Sequence, residues 1–259
     1  MDLDSDPKAR VMVFIDGQNL YKRCVELFGH PYCHPHLLAQ YLAGPRTQNP
    51  VRCRFYTGRP DQNMESEKIK VRNLDRRLNG MRKGGVTVVT RRLRYHWDWG
   101  PETKLPRPGP NVGPQLAMLR PWRRPQEKGI DLVLALDVLE FLLTDLCDVA
   151  IVVSLDRDLF EIPQAIANLQ KFINRPVRLE AAVPVPEHQK QPKVLPRFAF
   201  THQITGQVFE LVRDNTHYGV PEDQWKPPVI PLTLPERPPD APVTDTSAPQ
   251  GETLPGIES

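Results

Sequence analysis

Two short apolar runs, each followed by acidic residues, constrain the fold of this 259-residue chain more than any other feature. The first is VMVFI at 11–15, which ends at Asp16; the second is DVAIVVS at 148–154, which leads to Asp156 and Asp158. A strand without polar interruption is buried on both faces, which is typical of the centre of a parallel sheet. We therefore expect these acids at the carboxyl edge of such a sheet.

Alternating strand and helix patterns extend this prediction along the chain. Gly17 permits a tight turn after the first strand, and residues 18–28 then show helical spacing of apolar side chains. Further strands are predicted at 51–57, 86–90 and 176–183, and further helices at 37–43, 62–83, 127–146, 158–172 and from 205. The alternation predicts a three-layer α/β/α domain with a central parallel sheet in the order 3-2-1-4-5.

The apolar positions of two helices predict which faces are buried. In the helix at 127–146, the three-and-four spacing selects Leu132, Leu136, Leu139 and Leu143. In the charged helix at 62–83, a sparser stripe is predicted from Met64, Ile69 (or Lys68), Leu74, Leu78 and Met81.

Charge and composition divide the chain into unequal parts. Residues 52–128 hold 19 Lys and Arg against 7 Asp and Glu, although the whole chain has 34 against 31. A basic middle indicates a polyanion-binding surface, with solvated helix faces as the alternative. Residues 1–220 are expected to form one domain, and 221–259, with ten prolines and seven acids, a disordered tail. This acidic tail could bind a protein partner or support self-association.

The domain is interrupted by a Pro-, Arg- and Trp-rich insertion at about 91–127, which we predict to be a long irregular loop. Its aromatic residues Trp97, Trp99 and Trp122 lie between arginines at positions Arg91, Arg92, Arg94, Arg120, Arg123 and Arg124. Such a mixture suits phosphate contacts combined with base stacking. A mobile surface excursion is the alternative.

Several other classes of protein are disfavoured. The four cysteines lie far apart, and the polar N-terminus and the lack of a long apolar run argue against secretion and against a membrane partner. A reducing, cytoplasmic setting is therefore expected.

The cluster His30, Cys33, His34 and His36 matches no zinc-ligand spacing. Gln18 stands where a haloacid dehalogenase phosphatase needs a second acid, and no GxGxxG follows the first strand.

The predicted sheet brings the acids of both central strands to one edge. Asp131 opens the helix before the second apolar strand, at this same edge, so four carboxylates would converge: Asp16, Asp131, Asp156 and Asp158. Unpaired, they would repel one another, and a divalent cation would keep them ionised together. Oxygen ligands favour Mg²⁺ or Mn²⁺. The alternative for Asp16 is a simple helix cap.

Neighbouring residues complete this predicted site. Asn19, one turn after Asp16, could hold an acid or a water, whereas Asp137 lies about 240° around the helix from Asp131 and is left out. A carboxylate-held metal would acidify an attacking water and neutralise charge on a phosphodiester. Lys128 could contact the scissile or an adjacent phosphate, with an ordinary solvated lysine as the alternative.

Three linked motifs then carry a family resemblance. Asp16-Gly17-Gln18-Asn19, Lys128-Gly129-Ile130-Asp131 and Ser154-Leu155-Asp156-Arg157-Asp158 stand in the order and at the spacing of the NYN domain family of PIN-like nucleases, which the chain resembles over about residues 10–183. The resemblance implies a PIN-like α/β/α fold and metal-dependent ribonuclease activity on RNA. It places Asp16, Asn19, Asp131, Asp156 and Asp158 at the acidic centre.

The sequence departs from the family pattern at two positions. Leu155 stands where a small residue is usual, and Leu159 stands where an aromatic residue is usual. The leading hypothesis is a Mg²⁺- or Mn²⁺-dependent endoribonuclease. The alternative is a PIN-like module that binds RNA or a protein with weak or no catalysis.

Overall fold

The structure is a computed structural model that describes residues 6, 8–46, 49–100, 120–126, 128–173, 175–187 and 195–214. At positions 97–100 and 120–125 the backbone alone is described. The predicted acidic tail at 221–259 and the middle of the predicted insertion therefore lie outside the described residues.

Strands and helices alternate along most of the described chain. The strands are β1 (Val11–Asp16), β2 (Arg52–Arg59), β3 (Val86–Arg92), β4 (Arg94–Gly100), β5 (Arg120–Gln126), β6 (Val149–Val153), β7 (Arg178–Pro184) and β8 (Phe200–Ile204). The helices are α1 (Gly17–Phe28), α2 (Pro35–Ala43), α3 (Lys68–Lys83), α4 (Ile130–Leu143), α5 (Ile162–Leu169) and α6 (Gly206–Leu211). Single-turn 3₁₀ helices occur at Glu65–Glu67, Arg157–Glu161 and Gln170–Phe172.

The main sheet has six strands in the order β3-β2-β1-β6-β7-β8, and all of its neighbouring pairs are parallel. This confirms the predicted α/β architecture with the two most apolar strands, β1 and β6, side by side at the centre. The predicted order of five strands was incomplete, because β8 extends the sheet beyond β7. Its sequence FTHQI has too few apolar residues to stand out as a strand.

The core consists of two apolar layers, one on each face of the sheet. Alternate residues of β1 enter different layers: Val11, Val13 and Ile15 pack with α1, α2, α3 and α6, whereas Met12 and Phe14 pack with α4 and α5. Side chains of a strand alternate between the two faces of a sheet, so a strand covered on both sides must be apolar throughout. The three-layer prediction is confirmed.

The predicted buried face of α4 was mostly wrong. The buried positions are Ile130, Leu134, Val138 and Leu142, whereas Leu132, Leu136 and Leu143 are exposed and Leu139 is half-buried against the core. The helix is apolar at nearly every position, so periodicity did not select a face.

None of the helices in the described ranges has both the length and the apolar composition that crossing a membrane requires.

In α3 the predicted stripe was partly wrong. Leu78 and Met81 are buried as expected and Leu74 is half-buried, but Val71 is buried in place of the exposed Ile69. The helix begins at Lys68, later than predicted, after the 3₁₀ turn Glu65–Glu67.

The ends of the predicted irregular insertion are regular. β4 and β5 form an antiparallel two-stranded sheet, in which Arg94 pairs with Gln126 and Gly100 with Arg120. The backbone N–H of Asp61 donates a hydrogen bond to the Tyr95 hydroxyl at 3.1 Å, which ties β4 to the loop after β2. Prolines in β5 suggested a loop, but they are compatible with a two-stranded ribbon whose outer edges need no donors.

A buried ion-pair network ties α2 to the strands β7 and β8. Arg46 and Glu180 are both 1% exposed and form a two-bond pair, with nitrogen–oxygen distances of 2.7 and 3.1 Å. His202 Nε2 lies 2.6 Å from the second carboxylate oxygen of Glu180. Burial by itself raises the pKa of Glu180, but the hydrogen bonds from His202 and Arg46 outweigh it, so the net pKa lies well below its ordinary value.

We expect Glu180→Gln to lower the free energy of unfolding by about 3–5 kcal/mol, because the substitution leaves a buried guanidinium without its counter-charge. Urea unfolding monitored by circular dichroism measures the loss. Glu26→Gln is the matched control: Glu26 pairs with Arg23 at the surface, so the change should cost less than about 1 kcal/mol.

The Arg46–Glu180 pair also predicts that the free energy of unfolding depends on pH. Because folding lowers the pKa of Glu180, its stabilising effect is complete above the ordinary glutamate value of 4.5 and is lost as the pH falls below it. The stability difference between wild type and Glu180→Gln should therefore shrink from pH 5 towards pH 2. A difference that does not change with pH would show that Glu180 is not ionised in the native state.

Candidate metal centre

Asp16 lies at the end of β1 and caps α1. It is 4% exposed, and its Oδ1 accepts a hydrogen bond from the backbone N–H of Asn19 at 3.0 Å. Asp16 is therefore a helix cap, as the alternative proposed, but this role uses only one of its two carboxylate oxygens. The second oxygen, Oδ2, accepts a hydrogen bond from the Ser154 hydroxyl at 2.8 Å.

Ser154 connects the carboxylates at the ends of the two central strands. Its hydroxyl donates to Asp16, and its Oγ accepts the backbone N–H of Asp156 at 3.0 Å. Asp156 in turn caps the 3₁₀ turn that follows, where its Oδ1 accepts the N–H of Asp158 at 3.1 Å. Asp16 and Asp156 are thus held through one shared side chain.

Asp131 reaches the same edge from the opposite face of the sheet. Gly129, with φ of 79°, turns the chain into α4, and Asp131 lies in the first turn of that helix. Ligand atoms from Asp16, Asp131 and Asp156 all lie within 4.8 Å of one another. Within the described part of the chain, these three aspartates form a group that could hold a metal ion.

The proximity of these acids changes their proton affinities. Burial raises the pKa of Asp16, although the hydrogen bonds from Asn19 and Ser154 lower it in part. Burial and the charges of Asp16, Asp156 and Asp158 raise the pKa of Asp131 to about 6. The folded protein therefore keeps carboxylates together at an electrostatic cost that a cation would remove.

The donor set fits a small divalent cation. Every donor is a carboxylate oxygen, which Mg²⁺ and Mn²⁺ accept and which zinc sites use less often than histidine or cysteine. Metal–oxygen distances of about 2.1 Å require ligand oxygens within about 4 Å of one another, so rotations of the half-buried Asp131 and Asp156 would suffice. Oxygens of Asp16 still have free lone pairs after accepting two hydrogen bonds.

Two other predicted centre residues lie close to this group with different roles. Asp158 is exposed and does not belong to the three-residue group, although its charge contributes to the raised pKa of Asp131. Asn19 uses its Oδ1 to accept the backbone N–H of Leu155 at 3.0 Å, so it holds the turn after β6 against α1.

The predicted substrate-binding cations are distributed around the carboxyl edge. Lys128 is exposed directly before α4, Arg91 and Arg92 are exposed at the end of β3, and Arg94 is exposed at the start of β4. β3 lies two strands from β1, about 10 Å away. The backbone positions of Arg120, Arg123 and Arg124 are on β5, but their side chains are not described.

Asp137 belongs to a different network. The Tyr56 hydroxyl donates to its Oδ2 at 2.7 Å, and Arg54 Nη2 lies 2.9 Å from the same oxygen. Asp131 and Asp137 are thus two acids of one helix in opposite situations: the first faces other acids, and the second is paired with a guanidinium and a phenol.

Two residues near the centre received no role from sequence reasoning. Ser154 lies within one of the three sequence motifs, but its bridging position depends on the pairing of β1 with β6. Lys22 is exposed on α1, and its charge lowers the pKa of Asp16. A lysine six residues after an acid carries no sequence signal, because only the helix brings the two together.

A parallel α/β/α fold with several carboxylates at the carboxyl edge of its central strands is the arrangement expected of a PIN-like protein. The NYN domain family matches residues 10–174, and the chain belongs to this family of PIN-like nucleases. The resemblance noted from the sequence is therefore confirmed.

The sequence matches no curated protein. A crystal structure of a protein of unknown function, VPA0982 from Vibrio parahaemolyticus, is similar over 79% of this chain and 96% of that chain, with 20% identity and a TM-score of 0.43. So low a TM-score supports no argument about the site.

Gly17 is required by the close approach of α1 to β2. A Cβ atom at this position would overlap the Phe55 ring and lie 2.7 Å from the Tyr56 carbonyl oxygen.

We expect Gly17→Ala to lower the free energy of unfolding by about 1–3 kcal/mol and to weaken Mn²⁺ binding, because Asp16 and Asn19 must shift. Gly84→Ala is the control, since its nearest contact would be an ordinary 3.4 Å. Equal effects of the two substitutions in urea unfolding would contradict this account.

Replacing Asp131 or Asp137 of α4 by asparagine should change stability in opposite directions. At pH 8 in EDTA, Asp131→Asn should stabilise the protein by on the order of 1 kcal/mol after allowance for solvent screening, because it removes a repelled charge. Asp137→Asn should destabilise it by about 1–3 kcal/mol, because Arg54 loses its counter-charge. Thermal and urea unfolding measure both.

The pH dependence of the stability gain from Asp131→Asn tests whether charge repulsion causes it. The gain from Asp131→Asn should be absent near pH 3.8, the ordinary aspartate value, and complete above about pH 6. Added Mn²⁺ should stabilise the wild type more than the variant, because a ligand that binds the native state raises its stability. A gain that persists at low pH would exclude charge repulsion as its cause.

Proposed function

We propose that this protein is a Mg²⁺- or Mn²⁺-dependent endoribonuclease that hydrolyses RNA phosphodiester bonds. The observation that carries the proposal is the convergence of Asp16, Asp131 and Asp156 from three separate segments of the chain. Membership of the NYN domain family supports nuclease chemistry and RNA as the substrate.

In this proposal, some residues bind the cation and others position the residues that bind it. Asp16, Asp131 and Asp156 would hold the cation, and the exposed Asp158 would add negative charge to the centre. Ser154 and Asn19 would orient the carboxylates and the turn after β6. A divalent cation held there supplies positive charge for the phosphate oxygens and lowers the pKa of an attacking water.

The position of Leu155 is compatible with catalysis. Its backbone N–H donates to Asn19, and its half-buried side chain packs against the apolar layer of α4 and α5. The neighbouring departure from the family pattern, Leu159, is buried in the same layer. The larger side chain at position 155 is therefore accommodated in this apolar layer, which supports the enzyme over the purely binding module.

The basic residues around the carboxyl edge supply the complementary charge for the substrate. Lys128 lies next to Asp131 in the chain, and Arg91, Arg92 and Arg94 extend the positive surface from β3 to β4. Phosphate contacts by such residues bind a nucleic-acid backbone without reading its sequence. We propose that these residues, with Arg123 and Arg124 on β5, guide RNA to the centre.

Cleavage of a fluorescently labelled RNA tests the proposal. We expect products with Mn²⁺ or Mg²⁺ and none in EDTA. Asp16→Asn and Asp156→Asn should each reduce the rate by at least about 100-fold, and Ser154→Ala by about 10- to 100-fold, since partners of metal ligands contribute this much. Circular dichroism verifies the fold of each variant. Glu140→Gln, an exposed acid on the same helix as Asp131, is the matched control and should keep full activity.

Two results would contradict the proposal in different ways. Cleavage that survives Asp16→Asn or Asp156→Asn would exclude the carboxylate centre. Tight RNA binding by the wild type without products, at any metal and pH tried, would favour the alternative of a non-catalytic RNA-binding module.

A further inference from the structure

The outer face of α1, the helix that Asp16 caps, carries an exposed aromatic side chain and an adjacent exposed cation. Tyr21 is 49% exposed, and Lys22 is exposed beside it. Because Asp16 is the N-cap of α1, Lys22 lies about 9 Å along the helix axis from that residue, and its charge acts on the Asp16 carboxylate.

Neither residue is used to pack the helix. The buried face of α1 consists of Gly17, Leu20 and Cys24, which lie on the sheet side. Across the described ranges, Tyr21 has no aromatic ring partner and Lys22 no ion pair. An exposed aromatic ring and an adjacent cation without an ion pair in these ranges are therefore available to a ligand.

Positive charge also lies on the other side of the centre. Lys128 and Arg157 are both exposed, and they stand close in the chain to Asp131 and Asp156 respectively. The three acids are thus flanked by cations from α1 on one face of the sheet and from the start of α4 on the other. A phosphodiester strand that crosses the carboxyl edge would meet a cation on each side of the metal centre.

We propose that Tyr21 and Lys22 form a subsite for one unpaired nucleotide next to the scissile phosphate, so that the enzyme acts on single-stranded RNA. Tyr21 stacks on the base, and Lys22 contacts the flanking phosphate. An aromatic side chain can stack on a base face only where that face is not covered within a duplex. This inference rests on the proposed nuclease function, because it places the substrate at the same centre.

Fluorescence anisotropy in EDTA tests the subsite without cleavage. The probe is a labelled oligouridylate, used alone and annealed to oligoadenylate. Tyr21→Ala should weaken binding of the single strand about tenfold and leave the duplex unchanged, whereas Tyr21→Phe should keep wild-type affinity, since stacking needs only the ring. Val25→Ala, one turn further along the same exposed face, is the matched control and should have no effect.

The salt dependence tests Lys22 separately. Lys22→Ala should lower the slope of log affinity against log salt by about 0.7 for the single strand, the value for one lost phosphate contact. An unchanged slope, or an equal loss of single-strand and duplex affinity in Tyr21→Ala, would overturn the subsite.

Cleavage of the same oligouridylate in Mn²⁺ separates this inference from the proposed function. If the wild type gives no products but the Tyr21 and Lys22 effects on binding are present, the nuclease proposal fails and the single-strand subsite stands. If the wild type cuts and both substitutions leave binding and its preference for the single strand unchanged, the subsite fails and the nuclease proposal stands.

Discussion

The hydrogen bond from Ser154 to Asp16 joins the carboxyl ends of the two central strands, and the geometry of the candidate centre depends on it. It satisfies one oxygen of a nearly buried carboxylate, while the N–H of Asn19 satisfies the other. Without such donors, burial would favour the protonated acid, and a neutral Asp16 would be a poor metal ligand. Since Ser154 also accepts the N–H of Asp156, it sets the separation of two candidate ligands.

The order of the strands explains why the ligands come from both faces of the sheet. β1 and β6 are neighbours, but β2 and β3 extend to one side and β7 and β8 to the other. α1 follows β1 on one face, whereas α4 precedes β6 on the opposite face. Asp16 and Asp131 therefore approach the crevice from opposite layers. Ligands bind at such a switch point in many open α/β sheets.

The two ends of β6 show that the unpaired acids are specific to the carboxyl edge. Asp148 precedes the strand and accepts hydrogen bonds from the backbone and guanidinium of Arg10, which lower the pKa of that carboxyl. Asp156 follows the strand and lies among other acids. At the amino edge Asp148 thus has a basic partner, whereas at the carboxyl edge Asp16, Asp131 and Asp156 form no ion pair within the described residues. Buried pairs such as Arg46–Glu180 support the fold elsewhere.

The sequence by itself determined the parts of this protein that depend on local pattern. The apolar runs before Asp16 and Asp156 predicted buried parallel strands, and three motifs in order predicted the family. It did not determine which face of α4 is buried, because Leu132 and Leu134 are equally apolar; packing against the sheet decides between them. Nor could it find β8, the pairing of β4 with β5, or Ser154 and Lys22 as neighbours of Asp16. These depend on contacts between segments distant in the chain or on the direction of a helix, which only the tertiary structure sets.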